Sequence, residues 1–139
     1  MGNFDWKQLL WVAGRADRKA YWLVLVALIA VGWLCSVVLG SASAATDLLL
    51  SWMGVCVTAR RLHDLGRSGW WQALPTLVFT ACLVAAMPEF GFASGLGETA
   101  VGLISIVGLV VELGFVIALG VLPGQKGENR FDRPAPAAV

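Results

Sequence analysis

The chain has 139 residues, 58% of them hydrophobic and only 14% charged, with a formal net charge of +1. A soluble domain carries about a quarter charged residues, and the mean hydropathy here is +0.77. These values exclude a soluble globular fold and give no basis for a nucleic-acid partner. Several uncharged apolar runs near the bilayer-spanning length of roughly 20 residues point instead to a helical integral membrane protein.

Residues 1–19 mix apolar and basic side chains: Trp6, Leu9, Leu10 and Trp11 beside Lys7, Arg15, Arg18 and Lys19. This composition predicts a short interfacial helix. Trp6 stands where a myristoylation signal needs Ser or Thr, so no lipid anchor is expected at Gly2.

Ala20–Gly40 is an unbroken apolar run, about 31 Å as a helix at about 1.5 Å per residue. Tyr21, Trp22 and Trp33 supply aromatic anchors. Ala42-Ser43-Ala44 resembles a cleavage site, but the run before it exceeds the roughly 7–15 apolar residues of a signal peptide, which predicts a retained first span. The second span is expected over 44–60. Asp47 in its first turn faces the positive end of the helix dipole, Ser43 or Thr46 is the expected cap, and Arg60 and Arg61 close it.

The central loop that follows carries Arg60, Arg61, His63, Asp64, Gly66, Arg67, Ser68 and Gly69. A third span is predicted over 70–87, opened by Trp70 and Trp71, with Pro75 near its start where a missing N–H costs least. Residues 88–99 form a glycine-rich loop with Glu89 and Glu98. A fourth span, 100–122, ends at Pro123-Gly124, and 123–139 is the tail.

Lys and Arg distribute as four before the first span, three in the central loop and three in the tail, which accounts for all ten. The turns at 41–47 and 88–99 contain none. Positive-inside reasoning therefore puts both termini and the central loop in the cytoplasm. The predicted fold is an all-α integral membrane protein, a single membrane domain of four transmembrane helices in an antiparallel bundle. The interfacial helix precedes them, and both ends of the bundle's chain lie in the cytoplasm.

Chemistry concentrates on the cytoplasmic side. Arginine's planar fork suits phosphate, so Arg60, Arg61, His63, Asp64, Arg67 and Ser68, with Arg15, Arg18 and Arg130, are the candidate anion-binding residues. Gly66 and Gly69 permit the positive φ that could turn backbone N–H groups toward an anion. The competing reading is internal pairing: Arg60 with Asp64 at i,i+4, and Glu128 or Asp132 closing onto loop arginines. His63-Asp64 lacks an activated Ser or Cys nucleophile, which argues against catalysis. One histidine and three dispersed cysteines (Cys35, Cys56, Cys82) make no metal site, and no cofactor is expected.

Glu112 lies in the middle of the fourth span, where a charge costs about 2.5–3.5 kcal/mol on insertion scales. Proton or cation handling in an oligomeric transporter or channel is one reading, with Asp47 as a second intramembrane polar group. Packing is the other, because Gly102, Ser105, Gly108 and Glu112 share one helical face.

Three motifs together resemble one bacterial inner-membrane family, domain of unknown function 805 (the YhaH/YhaI-like proteins). They are Gly14-Arg15-Ala16-Asp17-Arg18-Lys19-Ala20-Tyr21-Trp22, Arg60-Arg61-Leu62-His63-Asp64-Leu65-Gly66-Arg67-Ser68-Gly69-Trp70-Trp71, and Pro123-Gly124-Gln125-Lys126-Gly127-Glu128-Asn129-Arg130-Phe131. Ala20 stands where the family often has an acidic residue, and Asp132 where glycine is usual. The resemblance implies a helical inner-membrane protein and brings no established activity. Partners expected are the phospholipid bilayer, an anionic lipid, a second copy of the chain or another subunit of a membrane complex.

Overall fold

Asp17 starts the first helix. Its Oδ1 accepts the Ala20 N–H at 2.7 Å and so satisfies one of the donors that a helix N-terminus leaves without an intrahelical partner. The computed structural model describes residues 10, 12–39, 44–87, 95 and 97–132. Within these, α1 spans Arg18–Leu39, α2 Ala44–Asp64, α3 Ala73–Ala86 and α4 Glu98–Val121, and a 3-10 turn, Gly69–Gln72, leads into α3. No strand occurs among the described residues.

Of the predicted interfacial helix, 1–9 and 11 lie outside the described residues, and 12–17 are irregular, with a bend at Gly14. Ser43, one of the two expected caps of α2, most of the loop at 88–99, and Arg133 also lie outside; Thr46, the other, lies within α2, which begins at Ala44, and so is no cap.

Three helical stretches are long and apolar enough to cross a membrane: Arg18–Val38, Gly69–Ala86 and Glu98–Val121. The predicted second span is part of α2, which runs on to Asp64 and carries Asp47, Arg60, Arg61, His63 and Asp64 along its length. Those charges keep α2 as a whole out of the apolar set. Its last turn belongs to a polar structure described below.

The chain forms two compact units, Met1–Gly69 with Leu122–Val139, and Trp70–Val121. In the first, α1 packs on α2, with Gly32 close enough for an added Cβ to meet Leu50 Cδ1 at 3.4 Å. Its buried side chains gather toward the start of α1 and the end of α2: Ala16, Tyr21 and Val24 with Cys56, Val57, Ala59, Arg61, Leu62 and Asp64. Farther along α1, Leu23, Val26, Ile29, Trp33 and Val38 are exposed. Such an apolar exterior suits hydrocarbon, which offers exposed side chains no reason to turn inward.

In the second unit Pro75, in the first turn of α3, is buried at no hydrogen-bonding cost, since that turn has no intrahelical acceptor for its N–H. The helix α4 approaches α3 at Gly108, where a Cβ would fall 2.7 Å from Cys82 Cβ. The predicted small-residue face is thus a packing face at Gly108, whereas a Cβ on Gly102 would meet nothing within 4 Å. Ser105 Oγ donates to the Val101 carbonyl at 3.0 Å, satisfied within its own helix.

Gly108→Val should therefore destabilise the α3–α4 pair by about 1–3 kcal/mol through overpacking. Gly114→Val, at a site with open space around it, should leave the melting temperature in detergent unchanged. Equal effects from the two would show that the close approach at Gly108 carries no packing energy.

Candidate functional site

The end of α2 is built as a docking point. A helix leaves its last carbonyls without intrahelical donors, and here the local chain and two distant segments supply them. Gly66 N–H donates to His63 O at 2.9 Å and Arg67 N–H to Leu62 O at 2.8 Å, with Gly66 at φ 71. This is a Schellman stop, which needs the left-handed conformation that glycine adopts without strain. The positive φ foreseen at Gly66 is present, but it serves to close the helix: these N–H groups face the helix carbonyls.

Further donors reach the carbonyls of this last turn from other segments. Ala16 N–H donates to Arg60 O at 3.1 Å, and Gln125 N–H to Asp64 O at 2.8 Å. Asn129 Nδ2 donates to His63 O at 2.9 Å. The segment before α1 and the tail are thereby fastened to one helix end. Gly124 lies so close to the Asp64 carboxylate that a Cβ there would collide with it, and Gly66 is crowded in the same way by the Gln125 side chain.

The electrostatic centre is Asp64, whose side chain is only 11% exposed. Arg15 approaches one carboxylate oxygen, Oδ1, through Nε at 3.0 Å and Nη2 at 2.9 Å. Arg61 Nη1 pairs with the other, Oδ2. Arg61 is fully buried; Nη1 also donates to Ala16 O at 3.3 Å and Nη2 to Leu122 O. Arg15 donates further to the carbonyls of Gly127 at 2.7 Å and Gln125 at 2.6 Å, and its Nη1 lies 3.2 Å from Asp132 Oδ2. Two guanidiniums and two carboxylates balance. Burial works against the Arg15 charge, but the bonds to Asp64 and Asp132 outweigh it and hold its pKa above the ordinary value.

His63 completes the joint. Its Nδ1 lies 3.1 Å from the Gly14 carbonyl, to which a neutral ring protonated at Nδ1 donates. The ring stacks on Phe131 with centroids 4.0 Å apart and an interplanar angle of 4°. Arg130 Cζ lies 4.6 Å from the centroid of that same Phe131 ring. Burial pushes the His63 pKa below its ordinary 6.5; the Gly14 bond opposes this and Arg130 adds to it.

The nine candidate anion-binding residues all belong to the first unit, but in different surroundings. Arg15, Arg61, His63 and Asp64 form the interlocked centre. Arg60 is half-buried, its Nη2 3.5 Å from Arg15 O. Ser68 is half-buried, and Arg18, Arg67 and Arg130 are exposed. The expected Arg60–Asp64 pair is instead Arg61–Asp64 at i,i+3, because Arg61 occupies the buried side of α2. Asp132 does close onto an arginine, namely Arg15 of the N-terminal segment. Glu128 is exposed.

Gly14, Gln125, Gly127, Asn129 and Phe131 are not legible as site residues in the sequence, and Gly124 is legible only as part of the end of the fourth span. The signal available was the cluster of glycines around Gln125 and Asn129, a composition suited to a tight and closely packed turn. Of the two residues expected to be intramembrane polar groups, Asp47 is exposed in the first turn of α2. Glu112 is half-buried, and its Oε2 has no hydrogen-bond partner among the described residues.

Breaking a buried ion pair from one side leaves a charge uncompensated, so Asp64→Asn should cost about 3–5 kcal/mol of stability. Asp132, with a side chain 34% exposed, forms a partly solvated pair, and Asp132→Asn should cost only about 0.2–1 kcal/mol. Equal melting temperatures for the two variants in detergent would remove Asp64 from the centre of the joint. The depressed pKa of His63 adds a pH dependence. Below about pH 6.5 the unfolded chain takes up a proton that the folded chain resists. Stability should therefore be level above 6.5 and decline as pH falls toward the lower folded pKa. A thermal-melt series should show that decline in the wild type and a weaker one in His63→Gln.

Comparison with known proteins agrees with the three motifs. A family model described as "Protein of unknown function (DUF805)" matches residues 9–133. The uncharacterised protein YiiR of Escherichia coli strain K12 is 28% identical over 131 residues, covering 86% of this chain and 82% of its own. YiiR of Escherichia coli O157:H7 matches to the same extent. No solved structure matches. The match spans almost the whole described chain, including every segment of the interlocked joint, and the protein belongs to the DUF805 family.

Proposed function

We propose that this protein is a non-enzymatic accessory or interaction module of the bacterial inner membrane whose arginine-rich cytoplasmic rim binds an anionic lipid headgroup or another phosphate. Four apolar runs joined by short connections support four antiparallel spans, and the distribution of Lys and Arg supports both termini and the central loop being inside. In this arrangement α2 crosses the bilayer with its apolar part, and its charged last turn stands in the cytoplasm.

The observation that carries the reading is the division of labour among the cations. Arg15 and Arg61 are tied to Asp64 and hold three segments together, while Arg18, Lys19, Arg67, Lys126 and Arg130 are exposed on the same unit. Exposed guanidiniums on an ordered base suit phosphate oxygens, which a fork can bind through two parallel N–H groups. Near the anionic cytoplasmic leaflet each such cation contributes about 1 kcal/mol of attraction. His63 and Asp64 support the non-enzymatic reading, since the imidazole is directed to Gly14 O and the carboxylate to two arginines.

Native mass spectrometry of gently solubilised protein tests this directly. The wild type should retain an anionic lipid or phosphate compound that Arg67→Ala/Arg130→Ala loses while still folding. A bare wild-type protein would remove the reading. The same spectrum reports whether the chain self-associates or carries another membrane subunit.

A second reading rests on Glu112, whose Oε2 lacks a hydrogen-bond partner among the described residues in the middle of α4. In an oligomer this carboxyl would handle protons or cations for a small transporter or channel. Reconstituted flux that persists unchanged in Glu112→Gln would exclude it.

A further inference from the structure

The two carboxylates on Arg15 are held differently. Asp64 takes the Nε and Nη2 side of the guanidinium, is shared with the buried Arg61, and is 11% exposed. Asp132 shares Nη1 with the Gly127 carbonyl, which lies at 2.7 Å, and takes its second N–H at 3.2 and 3.4 Å; its side chain is 34% exposed. The first contact is structural. The second is longer and open to solvent, so an ion in water can exchange with it.

Asp132 is carried on a turn that largely satisfies itself. Asp132 N–H donates to Asn129 O at 2.9 Å, Asn129 N–H donates to the Asp132 carboxylate, and Phe131 N–H donates to Asn129 Oδ1 at 2.9 Å. Those bonds travel with the turn if it lifts. Among the bonds described for residues 129–132, those reaching other segments are Asp132 on Arg15, Asn129 Nδ2 on His63 O, and Phe131 on the His63 ring. Release therefore requires few exchanges. The contacts that anchor the chain just before it, Gln125 N–H to Asp64 O, Arg15 Nη2 to Gln125 O and Arg15 Nη1 to Gly127 O, stay in place, so the lifted turn frees one N–H of Nη1.

We propose that the Asp132 carboxylate is an internal stand-in for a ligand phosphate, and that the 129–132 turn plugs the Nη1 side of Arg15 until an anion displaces it. A carboxylate and a phosphate offer the same acceptor oxygens to a guanidinium. Displacement removes one negative charge from Arg15 and leaves Asp64 to keep it in position. The inference rests on the phosphate-binding reading above and adds a competitor built into the chain: the tail sets how tightly the rim binds. The phosphate could belong to a lipid headgroup or to a free ion, and the two sources are separable by experiment.

The test uses the full-length protein in a neutral detergent, titrated with inorganic phosphate in one arm and with dihexanoyl phosphatidylglycerol in the other. Asp132→Asn keeps the side chain's size and removes its charge, so it should bind about three- to fivefold more tightly than wild type. Tightening in both arms identifies the phosphate group as what is recognised. Tightening in the lipid arm alone assigns a headgroup, and in the phosphate arm alone a free ion. Trypsin supplies a readout of the plug itself, because Lys126 and Arg130 flank or lie within the moving turn. Saturating anion should speed cleavage there in wild type, and Asp132→Asn should be cut faster even without anion. Asp132→Ser serves as a second variant should the asparagine disturb the turn.

Wild-type binding that Asp132→Asn and Asp132→Ser leave unchanged, with a tryptic rate indifferent to anion, would overturn the plug while leaving the phosphate-binding reading intact. Absence of binding in wild type and variants alike would overturn both.

Discussion

The structure of the first unit depends on one carboxylate. Asp64 lies almost out of solvent between Arg15, which comes from the segment before α1, and Arg61, three residues back on its own helix. A buried charge is costly unless it is paired and its remaining hydrogen-bonding positions are filled. Arg61 meets that condition only because the Ala16 and Leu122 carbonyls reach it from two other segments. The joint therefore closes as a whole: withdrawing the N-terminal segment or the tail exposes unmet polar groups at the end of α2. Helices in lipid gain no hydrophobic free energy from associating. A polar lock at the end of α2 supplies a specificity that apolar faces of α1 and α2 cannot.

Backbone chemistry makes the lock possible. The end of any helix offers carbonyls without intrahelical partners, and α2 presents those of His63 and Asp64 to Asn129 and Gln125, while the Arg60 carbonyl takes a second donor from Ala16. Close approach then requires the absence of side chains at Gly124 and Gly66, beside Asp64 and Gln125. Left-handed turns at Gly14 and Gly127, φ 96 and 84, aim their carbonyls at His63 and Arg15. Glycines here position acceptors, which explains why basic segments so rich in them form an ordered joint.

Much of the fold was legible because membrane helices announce themselves by length and apolarity. The spans at 20–40, 70–87 and 100–122 reappear as α1, the stretch from Gly69 through α3, and α4, with ends displaced by a few residues. The region 44–60 was harder, since α2 continues through Arg61 and Asp64, and a charge at the end of an apolar run reads as a boundary even where the helix goes on. The tail was least legible. The glycines of 123–132 suggest a tight turn and nothing of what it packs against; its order comes from contacts with residues more than sixty positions away, such as Asn129 with His63. Periodicity and propensity carry no information about such contacts. The choice of Arg61 over Arg60 as the partner of Asp64 has the same origin, because it depends on which side of α2 is covered.

An arginine-rich motif in a membrane protein invites a single interpretation for all its arginines, and the geometry argues against that here. A guanidinium that is wholly buried with its donors on carbonyls and a carboxylate, as at Arg61, contributes to architecture. Arg67 and Arg130, exposed on the same unit, can reach a ligand. Arg15 belongs to both classes, with one side of its fork on buried Asp64 and the other on solvent-facing Asp132. Replacing the basic residues indiscriminately would therefore confuse loss of the joint with loss of a ligand. Separating them requires that stability and binding be read on the same variant. The two-sided position of Arg15 makes it the residue through which anything bound at the rim would be felt by the fold.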